Sequence, residues 1–368
     1  MTHLRVAFDT SPLHGRKTGI GFAVEAMLAT LRDRDDVAVE PYLVSFRARS
    51  AAGERRLPLP ARLALRTWAS TNHPRADRWL GDADVVHGTN YVAPPTVKPV
   101  VVSVYDCWFL DHPEQALPDV RLAGKVLRAA INRGAVVHTS SVATEEAVRR
   151  LFPGAPVKTV HLGPLALAPP APQSPLPQLE QRPFVLAIGT VEARKNLPTL
   201  VRAFGEVARR QPDVMLVLAG SDGGHGSAVR TAIDALGPGV SQRVLVTGRV
   251  DDAARSWLLH HAEALAYPSL DEGFGFPLLE AMQTRTPVVA ARAGAIPEVA
   301  GDAAVLVDPH DHRAIADALV EVISTTTLAD QLRAAGDRRL GAFSWATCAE
   351  GLVDLYGRAV RGELDDLR

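Results

Sequence analysis

The chain has 368 residues, 47% of them hydrophobic, enough for two domains with separate cores. Its formal net charge of −1 argues against a general nucleic-acid binder, and its two cysteines, Cys107 and Cys348, fall outside any zinc spacing and point to reduced thiols in an intracellular protein. No apolar run approaches a membrane span and residues 1–5 enter a strand without a signal-peptide core, so a soluble protein is expected.

Residues 4–8 read as a buried strand, and the glycine-rich stretch 15–21 precedes a helical pattern over 22–31. This strand-loop-helix joint lacks the end of a P-loop and the spacing of a dinucleotide fingerprint, so by itself it is a ligand loop or a plain turn. Residues 47–79 are rich in arginine (Arg47, Arg49, Arg55, Arg56, Arg62, Arg66, Arg75, Arg78), with Leu63, Leu65, Trp68 and Trp79 interleaved. Such a surface can rest on anionic lipid, but the arginines keep no helical register, which favours a solvated face with its tryptophans turned inward.

Residues 84–87 and 100–106 read as parallel-type strands that end in polar residues. Ligands of open parallel sheets lie beyond the carboxyl ends of strands, which makes His87, Tyr105 and Asp106 site candidates by position. The competing assignments are a satisfied histidine near the surface and an aspartate serving as turn residue or helix cap. Arg121, Lys125 and Arg128 share one face of a helix and read as a solvated face. A strand over 135–139 follows, then Ser140 or Ser141 capping a helix to residue 152, then residues 157–161. Seven prolines between 164 and 183 mark a linker, placed at 166–183 between an N-terminal domain of residues 1–165 and a second domain at 184–343.

The second half begins with a strand over 184–188 and the segment Gly189-Thr190-Val191-Glu192-Ala193-Arg194-Lys195-Asn196, with Asn196 able to cap a helix over 197–208. Arg194 and Lys195 thus sit at a helix N-terminus, where two cations beside unpaired amides suit a diphosphate. Strands at 214–219 and 244–247 end in loops 220–226 and 248–252, which either contact a nucleotide base or turn the chain. The run 264–269 reads as a strand leading through Glu272-Gly273-Phe274-Gly275-Phe276 into a helix over 277–283, with Pro277 in its first turn. Gly273 and Gly275 let the backbone approach a ligand, and the first amides of the helix suit an anion. Glu280 can accept from hydroxyls on the same ligand, and Glu272, which a phosphate would repel, should meet sugar hydroxyls. Ser344 caps a last helix running to about residue 361. The carboxylate pairs Asp33/Asp35 and Asp82/Asp84 read as loop charges, and no metal site is expected.

These stretches resemble the GT-B retaining glycosyltransferases, most closely glycosyltransferase family 4. The resemblance is carried by Thr18-Gly19-Ile20-Gly21, residues 189–196, Pro268-Ser269-Leu270-Asp271-Glu272-Gly273-Phe274-Gly275, Pro297-Glu298-Val299-Ala300-Gly301, Phe343-Ser344-Trp345 and the spacing of Glu272 and Glu280. It implies an α/β chain of GT-B architecture: two facing Rossmann-like domains with parallel sheets and an interdomain cleft, and a C-terminal helix (344–368) packing back toward the N-terminal domain. The nucleotide sugar would be held mainly by the C-terminal domain and the hydroxyl acceptor mainly by the N-terminal one. By the same resemblance Arg194 and Lys195, with Gly189 and Thr190, would meet the donor diphosphate, and Glu280 the ribose. Glu272 would meet the transferred sugar, backbone amides of Gly273, Phe274, Gly275, Phe276, Leu278 and Leu279 would finish the cradle, and Gly19, Ile20 and Gly21 would approach the phosphates. Many relatives carry His-Asp where this chain has Tyr105-Asp106; a tyrosine donates a hydrogen bond but is a poor base at neutral pH, and His87 is the alternative.

The resemblance therefore implies a metal-independent transferase that needs no cofactor beyond its nucleotide diphosphate sugar, GDP-mannose or a UDP-hexose. The acceptor is a glycan, a lipid-linked molecule or a small metabolite. The expected location is cytoplasmic, with residues 47–79 admitting peripheral contact at the inner face of the membrane; the sequence leaves the oligomeric state open. Two other readings share the architecture: a nucleotide-sugar epimerase or hydrolase, whose usual catalytic carboxylates are not evident, and a non-catalytic sugar-nucleotide-binding partner.

Overall fold

A computed structural model describes residues 3–15, 17–45, 50–51 and 53–368, so Arg47 and Arg49 of the arginine-rich stretch lie outside the described residues. The chain forms two compact units, one of Met1–Gly163 with Phe343–Arg368 and one of Pro164–Ala342.

The first unit is built on seven parallel strands, β1 (Leu4–Asp9), β2 (Val37–Val44), β3 (Arg55–Leu57), β4 (Val85–Gly88), β5 (Val100–Val104), β6 (Val136–Thr139) and β7 (Val157–Thr159), in the order β3-β2-β1-β4-β5-β6-β7. The second has six, β8 (Phe184–Ile188), β9 (Met215–Ala219), β10 (Val244–Gly248), β11 (Ala264–Tyr267), β12 (Val288–Ala291) and β13 (Val305–Val307), in the order β10-β9-β8-β11-β12-β13. Parallel strands covered on both faces are apolar throughout, which is why Phe-Val-Leu-Ala-Ile of β8 and Met-Leu-Val-Leu-Ala of β9 are buried at every position. In each unit the direction of winding reverses once, between β1 and β4 and between β8 and β11, and the carboxyl ends there are where an open sheet of this kind presents ligands.

Helices lock these ends in place. The helix Leu197–Arg210 buries Leu197, Leu200, Val201, Phe204, Val207 and Ala208, a stripe at helical spacing, and burying each large side chain is worth about 1.5–3 kcal/mol over leaving it in water. Ser141 caps the helix Val142–Leu151 by accepting from the Thr144 amide at 3.1 Å, and Ser344 caps Trp345–Arg361 by accepting from Thr347 at 3.0 Å. The last helix packs closely within the first unit: a Cβ on Gly163 would lie 2.6 Å from the Trp345 amide, and one on Gly351 2.8 Å from Val160. Residues 166–183 fall in the second unit, where the Ala171 amide donates to the Ala253 carbonyl at 3.1 Å and Leu179 is buried.

The structure corrects several local readings. The first helix is Gly19–Arg32, starting three residues ahead of its apolar pattern, because extended Thr18 ends the preceding chain and its carbonyl takes the Phe22 amide at 3.0 Å. Gly19, Ile20 and Gly21 are therefore the first turn of a helix and not a loop. Asn196 occupies the cap position with a left-handed backbone (φ 55°) and makes no side-chain cap; its amide group donates instead to the carbonyls of Pro268 (3.1 Å) and Pro309 (2.7 Å). Of the arginine-rich stretch, Trp68 is wholly buried and donates to the Pro74 carbonyl at 3.1 Å, while Leu63 is exposed between exposed Arg62 and Arg66. Among the described residues no helix is long and apolar enough to cross a membrane.

Candidate functional site

In the second unit two strand-to-helix joints meet at the winding reversal. After β8 the chain passes Gly189 and Thr190 into a single 3₁₀ turn, Ala193–Lys195, ahead of the helix Leu197–Arg210. After β11 it passes residues 268–275 into the helix Phe276–Gln283, with Pro277 in the first turn and Gly275 (φ 99°) at the cap. The Leu270 amide donates to the Arg194 carbonyl at 2.8 Å and Asn196 holds Pro268, so each joint fixes the other. Glycine is required where backbones touch: a Cβ on Gly220 would lie 1.7 Å from the Gly189 carbonyl oxygen, and one on Gly294 2.3 Å from Asp271 Oδ1.

The joints bring three charged groups into contact. Arg194 Nη1 donates to Glu272 Oε2 at 2.6 Å and to the Asp271 carbonyl at 2.8 Å. Lys195 Nζ donates to Glu272 Oε1 at 2.5 Å and to the Tyr267 hydroxyl at 3.3 Å. Side-chain exposure is 15% for Arg194, 13% for Lys195 and 7% for Glu272, so solvent screens the cluster little. Burial opposes ionisation of Glu272, but Lys195 and Arg194 outweigh it and hold the carboxyl at about 2. Burial, with Arg194 alongside, lowers the Lys195 ammonium against the pull of Glu272, and burial raises the Tyr267 phenol. Glu272 is thus the counter-ion of both cations. That role was not foreseen from the sequence; its signal is the need of two half-buried cations for a partner.

Glu280, in the second turn of its helix, is 3% exposed and pairs through Oε2 with Arg255 on the helix Asp252–His261. Arg255 was also missed, since 25 residues separate the partners and nothing in the local pattern joins them. Of the cradle residues, Pro277 has no N–H and the Leu278 amide bonds to the Gly275 carbonyl at 3.0 Å, while the amides of Gly275 and Phe276 lead the helix. Beneath the joint, Gly189, Lys195, Tyr267 and Ser269 help line a cavity of about 10 Å³, room for one water at most.

The candidates in the first unit separate. His87 does not reach the strand end: it is wholly buried, with Nδ1 2.6 Å from the Tyr356 hydroxyl and Nε2 2.8 Å from Ser103 Oγ, which leaves neither ring nitrogen for a substrate. Tyr105 is buried and donates to the Thr89 carbonyl at 2.9 Å, and burial pushes its phenol further up, away from use as a base. Asp106 is half-buried at the end of β5; it accepts from the Trp108 amide at 3.2 Å, and the Tyr91 hydroxyl reaches its Oδ2 at 3.4 Å. Gly19 is exposed, Ile20 half-buried and Gly21 buried, with the Pro12 carbonyl 3.0 Å from where a Gly21 Cβ would be. Asp9, at the end of β1, was missed because the strand was expected to stop at Phe8. It accepts from the Ser11 amide at 2.9 Å and hydroxyl at 2.5 Å, and burial pushes its carboxyl up to about 6.

Comparison with known proteins agrees with this geometry. Residues 173–339, which contain both joints, match the family model described as glycosyl transferases group 1. Over 302 residues the chain is 30% identical to the O-antigen chain mannosyltransferase B of Escherichia coli, and the match covers 77% of each chain. Among solved structures, sucrose-phosphate synthase from Thermosynechococcus elongatus superimposes with a TM-score of 0.72 at 18% identity, covering 98% of this chain and 100% of that one. HepE of Anabaena, in complex with UDP-glucose, gives 0.70 at 19% identity over 96% and 100%. The fold is the GT-B one, and the chain belongs to the group 1 glycosyl transferases.

Proposed function

We propose that the protein is a retaining glycosyltransferase that moves a hexose from a nucleoside diphosphate donor to a hydroxyl of a glycan, lipid-linked or small-molecule acceptor, without a metal. The observation that carries the reading is the pair of half-buried cations, Arg194 and Lys195, fixed at a strand-to-helix joint by buried Glu272. When the bond between sugar and diphosphate breaks, the leaving group gains negative charge. Cations already aimed and already desolvated stabilise that charge more than they stabilise the bound donor, which lowers the barrier. The diphosphate would share the cations with Glu272, and the amides of Gly275 and Phe276 would take a further phosphate oxygen. Glu280 would accept from the ribose.

Retention follows if the acceptor hydroxyl attacks from the face the nucleotide leaves, passing its proton to a donor phosphate oxygen. The structure favours this route over a protein base, because both nitrogens of His87 are engaged and burial raises the Tyr105 phenol. The name of the Escherichia coli relative supports mannose as the first sugar to try, offered as GDP-mannose, and the UDP-glucose complex of the Anabaena protein supports UDP-hexoses as the second. The expected place of work is the cytoplasm, with exposed Leu63 between Arg62 and Arg66 as the point of peripheral contact with an anionic inner membrane face.

The test is incubation with GDP-mannose and with UDP-hexoses in EDTA, using simple glycoside and polyprenyl phosphate sugar acceptors, with the anomeric configuration of the product read by NMR. Transfer with the donor's own configuration supports the reading. Inverted product, or transfer only after a divalent ion is added, contradicts it.

A further inference from the structure

Glu280 is a carboxylate inside a helix, 3% exposed, and a buried carboxylate without a partner is strongly destabilising. Its partner is the guanidinium of Arg255, one turn into the helix Asp252–His261 that follows β10 and the loop at its carboxyl end. The pairing is one-sided. Oε2 is taken by Arg255, whereas among the described residues Oε1 has no hydrogen-bond partner. Arg255 side-chain exposure is 31%, and Glu280 is its one recorded side-chain partner among the described residues. A guanidinium stays charged and has a rigid fork of donors, so it can hold one carboxylate oxygen and thereby set the direction of the other.

We infer that Arg255 is a positioning residue for donor recognition: by holding Oε2 of Glu280 it fixes the carboxylate and turns Oε1 outward, so that the pair discriminates a ribose from a deoxyribose in the nucleoside diphosphate. The inference rests on the reading of this joint as the donor site. A hydroxyl donating to a fixed, buried carboxylate is a charge-assisted bond, and a ligand lacking it leaves Oε1 unsatisfied, so the wrong sugar is rejected and not merely bound less well. A purely structural ion pair would differ in its consequence: losing it would weaken binding of every nucleotide alike.

The experiment is calorimetry of the full chain with UDP and GDP and with their 2′-deoxy and 3′-deoxy counterparts, for wild type, Arg255→Met, Arg255→Lys, Glu280→Gln and the double variant Arg255→Met/Glu280→Gln. The double variant removes the orphaned carboxylate and so remains foldable if Arg255→Met alone is not. Wild type should prefer one ribonucleotide over a deoxy counterpart by about 10- to 100-fold, the gap expected of a charge-assisted bond. That preference should fall to within about threefold in Arg255→Met, Glu280→Gln and the double variant alike, and Arg255→Lys should recover part of it. Retention of the wild-type preference in Arg255→Met or in the double variant overturns the inference, as does a wild type that binds ribo and deoxy ligands equally. A wild type that binds none of the diphosphates overturns the donor-site reading itself, and the inference with it.

Discussion

Each unit holds a polar network beside its sheet, and the two are built on opposite principles. In the first unit the network is neutral and closed. His138 Nε2 lies 3.1 Å from the Val160 carbonyl, which can only accept, so Nε2 carries the proton and Nδ1 is bare. Ser103 must then donate to His138 Nδ1 (2.8 Å), accept from His87 Nε2 (2.8 Å) and leave His87 Nδ1 to accept from the Tyr356 hydroxyl (2.6 Å). The Val160 carbonyl thereby assigns each proton from His138 through Ser103 and His87 to Tyr356. In the second unit the network is ionic: Glu272 holds Arg194 and Lys195 at strand ends, and the two cations keep 15% and 13% of their side chains exposed. A buried chain of neutral groups joins the last helix to β4, β5 and β6; a cluster of charges, costly to assemble, joins the ends of β8 and β11.

The sharpest way to break the contrast is Arg194→Ala. We expect a loss of about 2–4 kcal/mol in transition-state stabilisation, read as kcat/KM. Unchanged turnover would remove Arg194 from the site.

Acid should separate the two networks by their titration windows. Burial lowers His87 well below 6.5 and His138 to about 4, so the folded protein binds fewer protons than the unfolded chain. Their stability contribution is full above about 6.5 and is lost as pH falls through the window down to about 4, at a slope of about 1.4 kcal/mol per pH unit for each histidine. Glu272, lowered from 4.5 to about 2, contributes fully above about 4.5 and loses its contribution only below that. Hydrogen exchange at pH 5 should therefore show β4, β5 and β6 losing protection before β8 and β11. The reverse order would contradict the assignment of neutral histidines.

Tyr356→Phe leaves His87 Nδ1 buried without its donor and should cost about 1–3 kcal/mol in denaturant unfolding, with nucleotide affinity unchanged. The companion change, Asn196→Ala, releases Pro268 and Pro309 and should lower both stability, by about 1–2 kcal/mol, and donor affinity, since it loosens the two joints. The smallest effect belongs to the surface: Leu63→Ser should change stability by no more than about 0.5 kcal/mol. It should nonetheless reduce co-sedimentation with anionic vesicles, and equal co-sedimentation would remove Leu63 from any membrane contact.

How far the sequence could be read follows from the range of the interactions involved. Strands of continuous apolar residues, such as β8 and β9, and hydroxyl caps such as Ser344 are local and were legible. β2 was not, because Glu40-Pro41 interrupts its pattern; Pro41 is nonetheless in register with Phe8 inside a seven-stranded sheet. β3 was not, because Arg-Arg-Leu has no pattern to find. Arg194 and Lys195 on one strand-to-helix joint and Glu272 on the other were read as facing a common ligand, and the structure does bring these three side chains into contact. What was hidden is what crosses between elements: Glu272 as counter-ion, Arg255 behind Glu280, and Tyr356, 269 residues from His87. His87 misled because a polar residue near a strand end reads the same whether it faces a ligand or a packed helix.

The most direct test of the ionic site is calorimetry of UDP and GDP binding in EDTA to the wild type and to Arg194→Ala/Lys195→Ala. The account expects one diphosphate to bind without metal and its affinity to fall by on the order of 30-fold or more when both cations are removed, each charge-assisted contact being worth about 1.5–3 kcal/mol. Equal affinity in the two proteins would show that Arg194 and Lys195 are only the structural partners of Glu272.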